Sequence, residues 1–103
     1  MGKKLIDYPI EWDINEKERF KEIIQSIKKR SPFLAQRIKD DVKKKLNIIK
    51  KNPMIFEADE LKLDNDKSYR KFNVIHIRFV YKIDIDKIII ARVRYSASEP
   101  IEY

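Results

Sequence analysis

The sequence predicts an α+β fold in which a two-helix antiparallel hairpin packs on one face of a mainly antiparallel sheet. Three observations carry this reading. Residues 69–100 hold most of the β-branched and aromatic side chains and alternate in polarity with the period of a strand. Between residues 15 and 52 the apolar side chains recur at helical spacing instead, interrupted once by Ser31-Pro32. A shorter alternating stretch precedes the helices. With 103 residues the chain makes one domain, 1–103, with a modest core. Two helices can cover only one face of such a sheet.

In chain order, Lys4–Trp12 sets Ile6, Tyr8, Ile10 and Trp12 against Asp7, Pro9 and Glu11, which is a strand pattern. Pro9 has no N–H to give a ladder, so this strand is predicted at a sheet edge. Asn15 and Glu18 resemble a capping box, and Phe20, Ile23, Ile24 and Ile27 follow on one helical face. Lys28-Lys29-Arg30 suit the negative end of that helix. Ser31-Pro32 then reads as an N-cap with proline at the first helical position. Leu34, Ile38, Val42, Leu46 and Ile49 stripe a second, longer helix that Asn52-Pro53 ends. So short a junction makes the pair a tight antiparallel hairpin. Ile23, Ile27, Ile38, Val42 and Leu46 are the expected core between hairpin and sheet.

After the helices, Met54-Ile55-Phe56 and Leu61/Leu63 are expected to plug the edge of the core. Asp64-Asn65-Asp66-Lys67 reads as a turn, and it lacks the glycine and glutamate of a calcium loop. In the strand region, Ile77, Phe79, Tyr81 and Ile83 face one way and His76, Arg78 and Lys82 the other. Asp84-Ile85-Asp86 breaks the pattern. Alternation then resumes with Ile89, Ala91, Val93 and Tyr95 opposite Ile88, Ile90, Arg92 and Arg94. Two strands around a short acidic turn make a β-hairpin. Strict alternation would place Ile88 and Ile90 beside Arg92 and Arg94, a mixed apolar and cationic surface suited to docking. The turn between Phe72 and Ile77 has no glycine or proline to mark it.

Charge narrows the partners. The net charge of +7 is unevenly placed: residues 28–51 carry ten basic and two acidic groups, while residues 1–27 and 52–68 are net acidic. Residues 69–103 carry a smaller basic surplus of seven against four. Such a balance favours polyanions or acidic proteins. Alternatively, lysines in a Lys- and Ile-rich chain simply solvate a helix. The chain has no cysteine, so thiolate metal sites and disulfides are ruled out. No apolar run approaches the ~18 residues of a membrane span, and a cytoplasmic location without membrane partners is expected.

Little catalytic chemistry is left. His76 is the one histidine, and the alternation sets it beside Arg78 on a polar face, where solvation is its simplest role. Glu60-Leu61-Lys62 resembles half of a magnesium-nuclease motif, but Asp41-Val42-Lys43 fits equally well. No metal and no cofactor is expected. The single glycine, Gly2, rules out a glycine-rich phosphate loop. Arginine, lysine and tyrosine remain as the functional groups.

The order strand, two helices, connection, three strands resembles the RelE/ParE superfamily of toxins from type II toxin–antitoxin modules, also called plasmid stabilisation proteins. The likeness covers nearly the whole chain. It rests on Ser31-Pro32 followed by Ala35 and Ile38, and on Leu46 through Asn52-Pro53. It rests also on Arg70 with Phe72, Val74 and then Tyr81, and on Val93-Arg94-Tyr95-Ser96-Ala97-Ser98-Glu99-Pro100 as closing strand and tail. The chain departs from the pattern where the family usually has a histidine on the last strand, here Tyr95, and where it often has an arginine, here Ser98. Tyr103 is similar to a C-terminal tyrosine of the family but at another spacing.

The resemblance implies a toxin neutralised by a cognate acidic antitoxin, with a homodimer or a toxin–antitoxin heterotetramer as its assembly. Its departures lean towards the ParE-like branch, which inhibits DNA gyrase. The alternatives are a RelE-like ribosome-dependent mRNA endonuclease (an mRNA interferase) and a binding module that has lost toxicity. If the chain is a nuclease, Arg70, Arg78, Arg92 and Tyr95 are its catalytic candidates. Target or antitoxin binding is expected at Arg70, Arg78, Ile88, Ile90, Arg92 and Arg94. Tyr81 is expected in the core or at its rim.

Overall fold

The computed structural model describes residues 7–96 and 102–103. It shows two helices, α1 (Ile14–Arg30) and α2 (Pro32–Lys51), on one face of a four-stranded sheet. The strands are β1 (Ile10–Trp12), β2 (Tyr69–Val74), β3 (Ile77–Ile83) and β4 (Ile88–Tyr95), in spatial order β1-β4-β3-β2. β2, β3 and β4 pair antiparallel, and β1 pairs parallel to β4 at the edge. Pro9 lies at that edge, where only its carbonyl is used, by the N–H of Ile88 at 2.9 Å. The edge position expected for the first strand holds, but the strand is shorter than expected, since residues 7–9 lie outside it; the part expected over Lys4–Ile6 lies outside the described residues.

Both helices begin where local chemistry tells them to. Asp13, rather than the expected Asn15, caps α1: its carboxylate accepts from the N–H groups of Asn15 and Glu16 at 2.9 and 3.2 Å. Ser31 closes α1 and opens α2, its hydroxyl accepting from Leu34 N–H at 3.1 Å, with Pro32 next. Ile23, Ile27, Ile38, Val42 and Ile49 are buried against the sheet, and Leu46 is half-buried beside them. A ring ladder runs through this core. Trp12 stacks on Phe20 at 5.5 Å, Phe20 meets Phe79 edge-on at 5.5 Å, and Phe79 stacks on Phe72 at 4.9 Å.

The connection after α2 plugs the core less than expected. Met54, Ile55 and Leu63 stay exposed, and Phe56 alone of the first group packs inward, against Phe72. The expected turn at Asp64–Lys67 is present, with Asp64 and Lys67 at positive φ. Asn65 organises it by donating to the carbonyls of Asp59 and Tyr69 and accepting from the N–H groups of Lys67 and Tyr69. The unmarked turn between β2 and β3 is a two-residue loop of Ile75 and His76 with φ of 41° and 37°. A β-branched residue there is strained, and tertiary pairing holds it.

One irregularity decides which side chains reach the uncovered face. Val80 pairs with Arg92, but its neighbour Tyr81 pairs with Ile90, so Ala91 is an extra residue in β4. Ile88 and Ile90 therefore face the helices with no exposure. Past the bulge the parity inverts, and Val93 takes the inward place. The expectation that Ile88 and Ile90 share a surface with Arg92 and Arg94 is corrected here, since period-two alternation does not run through a bulge.

Candidate functional site

The face away from the helices is built in rows by the register. Lys71, Val80 and Arg92 lie side by side, as do Asn73, Arg78 and Arg94, and Tyr69, Lys82 and Ile89. The connection runs back along β2 through an isolated bridge between Ala58 and Arg70, with Lys71 N–H donating to Glu57 O and Asp59 N–H to Tyr69 O. That path brings three carboxylates to the edge of this face.

At the centre is Asp59, whose side chain has no exposed surface. One oxygen pairs with the guanidinium of Arg78 and accepts the N–H of Leu61 at 3.1 Å; the other accepts the hydroxyl of Tyr103. Tyr103 is held by its backbone too, donating to Leu61 O at 2.9 Å and accepting from Leu63 N–H at 2.6 Å. Its ring lies under the Arg92 guanidinium at 4.4 Å and near the Lys62 ammonium at 5.4 Å. Burial, then the hydrogen bond to Asp59, pushes the phenol well above its ordinary value of 10. Beside it Lys71 bridges Glu60 at 2.8 Å and Glu57 at 3.2 Å. The hydrogen bond from Lys71 holds the Glu60 carboxyl down at about 2.

A second network sits on the β4 edge. β1 stops at Trp12, so among the described residues β4 has no strand neighbour beyond Ile90 on that side. Glu16, in the first turn of α1, fills the gap. Its carboxylate accepts the N–H of Val93 at 2.8 Å and the guanidinium of Arg94 at 2.5 Å. Arg94 also donates to Val93 O at 2.7 Å, so both backbone groups of Val93 on this edge are occupied.

The structure thus divides the residues singled out by sequence. Arg78, Arg92 and Arg94 come together on the open face. Arg70 pairs with Tyr81 in register and lies on the helix side, buried, donating to the carbonyls of Lys67, Met54 and Phe56. Its role there is to hold the connection against the sheet, which separates it from the docking set. Tyr95 pairs with Ile77 and packs half-buried against the core, on the face away from Arg92. Tyr81 is fully buried; its hydroxyl donates to Pro53 O at 2.7 Å, and burial pushes it up to about 12. His76 is exposed on the β2–β3 turn, where its carbonyl accepts the N–H of Ser96. Ser98 lies outside the described residues.

Sequence reasoning missed Asp59, Glu16 and Lys71. For Glu16 a signal existed, because Asp13-x-x-Glu16 has the spacing of a capping box. Nothing local marks Asp59, since its partners are 19 and 44 residues away. Together these acids neutralise much of the positive charge that the strands carry. On this face Arg78 and Arg94 are pieces of ion-paired networks, and half-exposed Ile89 provides apolar contact beside them, while Val80 is fully covered.

The sequence profile for the ParE toxin of type II toxin–antitoxin systems, parDE, matches residues 10–100. No curated protein matches the chain significantly. Among solved structures, the fold is similar to a chain in the crystal structure of the RelBE2 toxin–antitoxin complex from Mycobacterium tuberculosis. The identity is 14%, the match covers 89% of this chain and 94% of that one, and the TM-score is 0.57. At that identity the likeness concerns the fold.

Proposed function

This chain belongs to the family of ParE toxins of type II toxin–antitoxin systems, and on that premise we propose that it docks on DNA gyrase and inhibits it, with an acidic antitoxin as its neutralising partner. One observation carries the choice of inhibitor over nuclease. The four residues that a metal-free ribonuclease site would draw on are split between the two faces of the sheet. Arg78 and Arg92 lie on the open face, and Arg70 and Tyr95 lie on the helix face.

Cleaving RNA by attack of its 2′-hydroxyl needs a base, an acid and charge stabilisers around one phosphate. On the open face the tyrosine beside the arginines is Tyr103, whose hydroxyl is committed to Asp59 and whose pKa lies far above neutrality. Losing a single positioned stabiliser typically costs ~10²–10³ in rate, so a divided set makes a poor nuclease. Docking asks for less. It needs a rigid, shaped surface with apolar points and fixed charges, and the two ion-pair networks supply rigidity. No helix among the described residues is long and apolar enough to cross a membrane, which accords with a target in the cytoplasm.

The test is purified protein in two separate assays: gyrase supercoiling of plasmid DNA, and integrity of ribosome-bound mRNA. Inhibited or trapped gyrase with intact mRNA is expected. Ile89→Glu and Arg92→Ala, both on the open face, should weaken gyrase inhibition while leaving the fold intact. Codon-specific mRNA cleavage on ribosomes with normal gyrase activity would replace this reading by the RelE-like endonuclease.

A further inference from the structure

We infer that the outer surface of the α1–α2 hairpin is a second binding surface, separate from the open sheet face, that docks on the phosphate backbone of duplex DNA. The first observation is where unneutralised charge lies. Arg78 and Arg94 of the sheet are paired with Asp59 and Glu16, whereas residues 28–51 carry ten basic groups against two acids. A general lysine bias does not explain that clustering, because the chain holds 17 acids and places all but Asp40 and Asp41 elsewhere. Lys28, Arg37, Lys39, Lys43 and Lys44 are exposed. Among the described residues no carboxylate pairs with any of these five or with Lys50.

The second observation is their arrangement. Lys21 and Lys28 of α1 face Lys39 of α2 across a groove of about 410 Å³, whose lining includes Phe20, Ile24, Ala35, Gln25 and Gln36 and no acid. Lys39, Lys43 and Lys50 follow at four- and seven-residue steps along one side of α2, about 6 and 10 Å, whereas Arg37 and Lys44 share a separate face with Asp40 and Asp41. From Lys39 to Lys50 the row covers about 16 Å, roughly half of the ~34 Å of one duplex turn. A straight row of cations is matched by a rod of continuous negative charge.

Other polyanions fit less well. Single strands are bound on aromatic platforms, and the exposed aromatic of α2 is Phe33 alone. A protein partner would want contiguous apolar anchors. The exposed Phe33 and Ile48 of α2 are 15 residues apart, which on a helix is about 22 Å.

The test measures anisotropy of a labelled duplex of about 20 base pairs, two helical turns, with full-length protein between about 50 and 200 mM salt. Wild type should bind with a log–log salt slope of about −4, as four to five phosphate contacts give. The variant Lys28→Gln/Lys39→Gln/Lys43→Gln, all at exposed positions, should lose about three units of that slope and at least about tenfold in affinity at the lower salt. Lys67→Gln/Lys82→Gln/Lys87→Gln removes equal charge away from the hairpin and should leave the slope near wild type. Absence of duplex binding at the lower salt would overturn the inference, as would equal losses in the two variants or tighter binding of single-stranded RNA of the same length. Gyrase is absent from the measurement, so failure here leaves the gyrase proposal standing.

Discussion

The hydroxyl of Tyr103 donates to the buried carboxylate of Asp59, 44 residues earlier in the chain. Arg78 takes the other oxygen, so one anion with no exposed surface ties the connection, β3 and Tyr103 together. Removing a buried anion leaves its cation uncompensated. Asp59→Ala is therefore expected to destabilise the protein by about 3–5 kcal/mol. Tyr103→Phe, which removes one donor from a carboxylate still held by Arg78, should cost about 1–3 kcal/mol. Urea denaturation of the two variants measures both. An Asp59→Ala variant within ~0.5 kcal/mol of wild type would mean the network contributes nothing.

Glu16 substitutes for a missing strand. Its carboxylate accepts from Val93 N–H and Arg94 together, at a position 8% exposed. Glu16→Ala should cost about 3 kcal/mol, because a backbone N–H and a guanidinium lose one shared acceptor. Glu16→Gln keeps an acceptor oxygen and loses the charge, so it should fall between. Amide exchange at Val93 gives a direct readout. Protection there should drop in Glu16→Ala ahead of global unfolding, and unchanged protection would contradict the role given to Glu16.

What could be read from sequence followed how local each signal was. The cap at Ser31, the stripe from Ile38 to Ile49 and the acidic turn at Asp84–Asp86 depend on neighbours within a few residues, and they stand as expected; α2 also ends at Asn52, but with φ at −148° and not in the left-handed conformation that asparagine there suggests. The α1 cap was misplaced by two residues because Asn15 and Asp13 both precede a glutamate at the right distance. The Ile75–His76 turn carries no turn chemistry at all; β2–β3 pairing forces it. The site was harder. Arg78, Arg92 and Arg94 could be found from their types and spacing. What they do depends on Asp59, Glu16 and Tyr103, which the fold brings in from far along the chain. Arg70 holds one carbonyl close by, that of Lys67, but those of Met54 and Phe56 lie 16 and 14 residues away, and nothing local points to them.

Alkaline pH should expose the buried phenols. Tyr81 is buried with its hydroxyl on Pro53 O, and its pKa is pushed up from 10 to about 12. Below pH 10 the phenol is protonated in both folded and unfolded chains, and its stabilising environment is fully kept. As pH rises from 10 to about 12 the unfolded chain releases this proton first, so stability falls. At about 1.36 kcal/mol per unit, Tyr81 alone accounts for a loss of roughly 2–3 kcal/mol by the top of that window. Tyr103 shifts in the same direction and adds to it. Phenolate absorbance should show Tyr81 and Tyr103 titrating late and together with unfolding. Tyr81→Phe should shift the alkaline midpoint upward relative to its own neutral stability. Titration of Tyr81 near pH 10 in folded protein would refute the assignment.

The bulge at Ala91 yields the sharpest test, because it links one residue of sequence to the whole open face. With Ala91 present, Ile88 and Ile90 face inward on one side of it and Val93 on the other, and Arg92 and Arg94 emerge outward. Without Ala91, Ile90 is followed directly by Arg92, and period-two alternation alone puts Ile88, Ile90 and Val93 inward and Arg92 and Arg94 outward. Deleting Ala91 should therefore close the bulge, keep the pairs Tyr81–Ile90 and Val80–Arg92, and leave the variant folded and cooperative by circular dichroism with the open face unchanged. Ala91→Gly keeps the extra residue and should cost no more than about 1 kcal/mol. An unfolded deletion variant would show that Ala91 does more than absorb one residue between two runs of matching parity.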